Sequence, residues 1–155
     1  MKKVFLQIWQ ILPSWLQKIA LAMLMPHYLV IAIAVVFNEK DQILLCKPTY
    51  RRRHPWGLPG GHIKSGEDPA DSVQRELREE TGLSVQETRL LMAENSSEMR
   101  KILLTYLCRQ VEGTFIPNEE VSMIQYFDIG ELPALPTEEL VTIEKAQAIL
   151  KAEVG

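Results

Sequence analysis

One stretch constrains this chain more than any other: Gly61 to Leu83, reading GHIKSGEDPADSVQRELREETGL. Asp68 followed by Pro69 is a helix start, with a side-chain acceptor for the orphan amides and a ring already set near helical φ. Gly82 is the matching stop. Between them Ala70, Val73 and Leu77 recur at helical spacing as a buried stripe, while Glu76, Glu79 and Glu80 share a neighbouring face.

Like charges on consecutive turns destabilise a helix by a few tenths of a kcal/mol per pair, so such a cluster calls for a compensating cation. Oxygen-only donors suit a hard divalent ion such as Mg²⁺ or Mn²⁺, which binds through a few carboxylates together with substrate phosphates. Glu67, just before the helix, reaches the same region. Arg75 stands one turn before Glu79, where an ion pair would fix that carboxylate.

A bare run of charges is usually a solvated helix face. Here the spacing argues otherwise, because the stretch satisfies Gly-x5-Glu-x7-Arg-Glu-aliphatic-x-Glu-Glu-x-Gly-aliphatic at Gly61, Glu67, Arg75, Glu76, Leu77, Glu79, Glu80, Gly82 and Leu83. At ordinary residue frequencies a chance match has odds on the order of 10⁻⁹ per starting point. The stretch resembles the Nudix box.

The resemblance implies a divalent-metal-dependent hydrolase that cleaves a phosphoanhydride bond in a nucleoside diphosphate-linked compound, such as a nucleoside triphosphate or a nucleotide sugar. It implies Glu76, Glu79, Glu80 and Glu67 as metal ligands, with help from the Gly61 carbonyl. Glu79 is the first choice of general base, with Arg75 orienting it. Since the family also recruits glutamates from outside the box, Glu120 and Glu119 are candidates for an extra ligand or the base. Two other readings stand beside this one: a sensing module that binds a nucleotide without hydrolysis, and an interaction or membrane-surface protein using its N-terminal helices.

The rest of the chain fits one α/β domain. Its 155 residues suffice for a single core, with 46% apolar and 24% charged residues. A net charge of −3 makes no general case for nucleic-acid binding, so an anionic substrate must be met locally. Arg51, Arg52 and Arg53, in the loop just upstream of the box, are candidates for that, because guanidinium forks suit phosphate. Cys46 and Cys108 lie in apolar runs and read as buried strand residues, consistent with a cytoplasmic setting.

Strands are expected over Tyr28 to Phe37, Gln42 to Lys47 (a hairpin with the first), Ser84 to Glu94, Lys101 to Gln110 and Val121 to Ile129. A last helix runs from Glu138 to Ala152. With the box helix these give an α/β/α sandwich around a mixed sheet over residues 27–155. Residues 1–26 form an amphipathic helical extension, two short helices broken at Pro13. Its apolar faces are expected on the domain's own surface or a second subunit, making a homodimer, with peripheral membrane contact a less favoured partner.

Overall fold

The computed structural model describes residues 9–96 and 100–154. The expected helix over the first eight residues lies outside that range, apart from a helical turn at residues 9–11. The elements then follow as α1 (Ser14–Leu24), β1 (Leu29–Val36), β2 (Ile43–Pro48), β3 (Gly60–His62), α2 (Pro69–Thr81), β4 (Ser84–Ser96), β5 (Lys101–Glu112) and β6 (Val121–Phe127). A 3₁₀ turn (Ile129–Glu131) and α3 (Thr137–Val154) complete the chain.

Four strands form a mixed sheet in the order β3-β1-β5-β4, with β1 and β5 parallel and the outer pairs antiparallel. β2 and β6 pair separately. The anticipated hairpin between β1 and β2 is therefore incomplete. Its turn closes through Asn38 and a single bridge, Phe37 to Ile43, after which the strands part. Both edges of β1 are already taken, by β3 and β5, so β2 satisfies its backbone against β6 instead.

Strand alternation builds the two faces. Ala32, Ala34 and Val36 of β1, with Leu44 of β2, pack with Val73 and Leu77 of α2. The alternate residues Val35, Phe37, Ile43 and Leu45 pack with Ile143 and Ala146 of α3. Opposite faces of the strands thus carry α2 and α3, which is the expected sandwich. Full burial of a side chain such as Leu77 contributes about 1.5–3 kcal/mol.

Within a single chain α1 is uncovered: none of its residues is buried, and Trp15 and Met23 are 60% and 80% exposed. Its apolar face is not absorbed by the domain core. Cys46 and Cys108 are buried free thiols, as the apolar runs around them indicate. No helix among the described residues is long and apolar enough to cross a membrane.

Candidate active site

α2 carries the box glutamates because its ends are fixed by its own sequence. The Asp68 side chain accepts from Ala70 N at 2.9 Å, and Gly82 closes the helix at φ 73°. Val73 and Leu77 pin one face to the sheet, which leaves Arg75, Glu76, Glu79 and Glu80 turned toward β3 and its flanking loops.

Arg75 is the hub of this face. Its Nε and Nη2 donate to the two Glu67 oxygens at 2.6 and 3.0 Å, and its Nη1 to Glu76 at 2.7 Å and Glu79 at 3.0 Å. Nη2 also reaches the His62 carbonyl at 3.1 Å. The bonds to Glu67, then those to Glu76 and Glu79, push the Arg75 pKa up, so it is a permanent cation. In return Arg75, with the Lys64 N–H, holds the Glu67 carboxyl down at about 2. The expected Arg75–Glu79 pair is present, yet Arg75 binds Glu67 and Glu76 as well. Among the described residues, no three His, Cys, Asp or Glu side chains stand together in a metal-holding arrangement; the guanidinium draws these carboxylates to itself.

Glu80 is different. It points inward and accepts from Gly60 N at 3.2 Å. Burial pushes its carboxyl up to about 7, the charges of Glu76 and Glu120 add to the rise, and the Gly60 N–H and Arg51 oppose it. Glu76 sits against the same turn, where a Cβ on Gly61 would lie 2.4 Å from its carboxyl carbon. Gly60 has φ 151°, and a Cβ there would lie 2.3 Å from the Ala32 carbonyl. Two glycines in succession therefore let the backbone pass between β1 and the carboxylates.

Outside the box the candidates separate. Glu120 lies close enough to Glu80 for its charge to register there, whereas Glu119 accepts through its carbonyl from Thr49 Oγ1 at 2.7 Å. Glu120 owes its position to Asn118, a residue the sequence reading passed over. The Asn118 Nδ2 donates to the Glu79 and Glu80 carbonyls at 3.1 and 3.0 Å, while its Oδ1 accepts from the Glu120 and Val121 amides. An Asn two residues before the amide that donates to its side chain is a recognisable turn signal, but its second attachment, to the end of α2, has no local signature.

The three arginines also separate. Arg52 and Arg53 are exposed on the loop, whereas Arg51 turns inward, its Nη1 2.6 Å from Glu139 of α3. Glu139 also accepts from Leu58 N at 2.7 Å. Trp56 packs edge-on against Phe127 with ring centroids 5.0 Å apart, a core role. Beside Gly60 and Gly61 opens a pocket of about 210 Å³ with an apolar floor of Ile31, Ile33 and Leu58 and with Arg51, Lys101 and Glu139 on its walls. Among the described residues, the side chains of the box glutamates line neither this pocket nor larger hollows such as the one of about 610 Å³ between Phe37 and Leu150.

The family model of the NUDIX domain matches residues 27–147. Among curated proteins, the NAD-capped RNA hydrolase NudC of Photobacterium profundum is 29% identical over 124 residues, 77% of this chain and 47% of that protein. The ADP-ribose pyrophosphatase of Methanocaldococcus jannaschii is 30% identical over 119 residues, 70% of this chain and 68% of that one. The chain thus spans less than half the length of the NAD-capped RNA hydrolases it matches. The crystal structure of a MutT NUDIX hydrolase from Burkholderia pseudomallei superposes with a TM-score of 0.68 at 23% identity, covering 77% of this chain and 98% of its own, a likeness of fold. From its complete box, its sandwich fold and the family match across most of its length, the chain belongs to the Nudix hydrolase family.

Proposed function

We propose that the protein is a divalent-metal-dependent pyrophosphohydrolase acting on a small nucleoside diphosphate-linked compound, with Mg²⁺ or Mn²⁺ as its cofactor. The observation that carries the reading is Glu80: a partly buried carboxyl near Glu76 and Glu120, with more negative charge around it than Arg51 offsets. That donor set, oxygen only and acidic in excess, fits a hard divalent cation. Glu76, Glu80 and the Gly61 carbonyl would hold it, with Glu120 from the loop and with Glu67 and Glu79 as exchange from Arg75 permits. Bound there, the ion would neutralise the diphosphate and make a water more acidic.

The chain's own groups divide the remaining tasks. Glu79, half exposed and fixed by Arg75 and Lys64, is the proposed base that takes the proton from the attacking water, with Glu120 as its rival. Arg75 keeps the carboxylates oriented. Arg52 and Arg53 meet the substrate's anionic groups from the loop, and the apolar floor beside Gly60 takes the moiety attached to the diphosphate. Arg51, paired with Glu139, acts here by position and charge more than by direct grasp.

Release of phosphate and nucleotide from nucleoside triphosphates, nucleotide sugars, ADP-ribose and dinucleotides, for wild type and Glu79→Gln, tests this. Turnover of one class, with product identity locating the broken anhydride and with loss in the variant, is expected. Tight binding without turnover of any class would make the domain a sensor instead.

A further inference from the structure

The domain leaves one large apolar surface uncovered. In α1, Trp15, Ile19 and Met23 recur every fourth residue, and they are well exposed, as is Ile11 in the turn before Pro13. Ser14, Gln17 and Lys18 share the narrower remaining arc with Leu21. Met25, Tyr28 and Leu29 continue the exposed apolar surface into β1.

Charge is distributed with the same asymmetry. The first 38 residues contain Lys2, Lys3 and Lys18 and no Asp or Glu, so within a chain of net charge −3 the remainder carries −6. Two further cations adjoin the apolar surface where α1 hands over to the sheet. Leu29 N donates to the Arg100 carbonyl at 2.9 Å, and Leu29 is paired with Lys101 across β1 and β5.

We infer that residues 9–29, which include Lys18 and are bordered by Arg100, are a docking surface for an anionic phospholipid bilayer. An interfacial helix needs a wide apolar face bearing aromatic side chains and cations at its border, and it lies in the plane of the surface rather than across it. Trp15 suits the boundary between headgroup and acyl chain, and Lys18, at the edge of the stripe, can extend its ammonium toward headgroups while its stem stays in apolar surroundings. A second copy of the chain fits less well. Symmetric pairing of two such segments would set cation against cation with no acid among the first 38 residues of either.

The purified full chain, mixed with phosphatidylcholine vesicles with and without phosphatidylglycerol, is sedimented at low and high salt. It is expected to partition onto the phosphatidylglycerol vesicles, weakly onto the neutral ones, and less at high salt. The double substitution Trp15→Glu/Ile19→Glu should lower that partition by about tenfold or more, because it removes the inserted residues. Lys18→Glu, fully at the surface, should weaken it only on anionic vesicles. No partition onto either vesicle, partition unaffected by the double substitution, or a solution dimer that the substitution dissociates would overturn the assignment.

Discussion

Arg51 Nη1 lies 2.6 Å from Glu139 Oε1, joining the loop before the box to the first turn of α3 across 88 residues of sequence. Glu139 uses its other oxygen on Leu58 N, so a single carboxylate ties the loop by side chain and backbone. Gly57 makes the approach possible: a Cβ there would lie 2.1 Å from Arg51 Nη1 and 2.9 Å from Glu139 Oε2.

Removing that carboxylate leaves the Leu58 amide without its acceptor and the partly buried Arg51 guanidinium without its counter-charge, with only the longer bond to the Trp56 carbonyl at 3.4 Å. Glu139→Ala is expected to cost about 2–4 kcal/mol in chemical denaturation, whereas Glu139→Gln, which keeps an acceptor, should cost less. Gly57→Ala should fall between the two by displacing Arg51. Equal stability for all three would contradict the tie.

Asn118 fastens the β5–β6 loop to the last carbonyls of α2. Asn118→Ala is expected to lose about 1–2 kcal/mol and to lower turnover at saturating metal, because Glu120 is released from Glu80. An unchanged apparent affinity for Mn²⁺ in titrations of this variant would remove Glu120 from the metal's surroundings.

Glu80 gives a pH dependence of defined sign. Its folded pKa, about 7, is above the usual carboxylate value, so its favourable contribution is complete below about pH 4.5 and lost as pH rises through 7. Without divalent cation the ionised form costs the fold on the order of 3 kcal/mol at pH 8. Glu80→Gln should therefore stabilise the metal-free protein at pH 8 but not at pH 4.5, while impairing metal binding. Denaturation midpoints that shift equally at both pH values would refute this.

Burial pushes the Cys46 thiol far up and the Cys108 thiol up to about 12. Iodoacetamide at pH 8 should label neither cysteine in the folded protein and both after denaturation, as read by intact mass. Rapid labelling of either in the native state would contradict the packing of β2 or β5.

What the sequence made legible was local or periodic. Asp68, Pro69 and Gly82 announce the bounds of α2, and the apolar runs of β1 and β2 announce buried strands. The fixed spacing of Glu67, Arg75, Glu76, Glu79 and Glu80 marks the candidate face. Partnerships between distant segments left no such trace. The pairing of β2 with β6, the turning of Arg51 toward Glu139 and the hold of Asn118 on α2 depend on where separate elements meet. The exposure of α1 was illegible for a related reason: an apolar stripe looks the same whether the domain covers it or leaves it bare.

The most direct measurement is turnover against divalent metal concentration for wild type and Glu80→Gln, with the variant's fold checked by circular dichroism. Wild type is expected to be inactive in chelator, to gain activity saturably with Mg²⁺ or Mn²⁺, and to lose about a hundredfold or more in kcat through Glu80→Gln. Full activity in chelator, or a folded Glu80→Gln variant with wild-type turnover, would contradict the assignment of metal-dependent hydrolysis to the face built by α2.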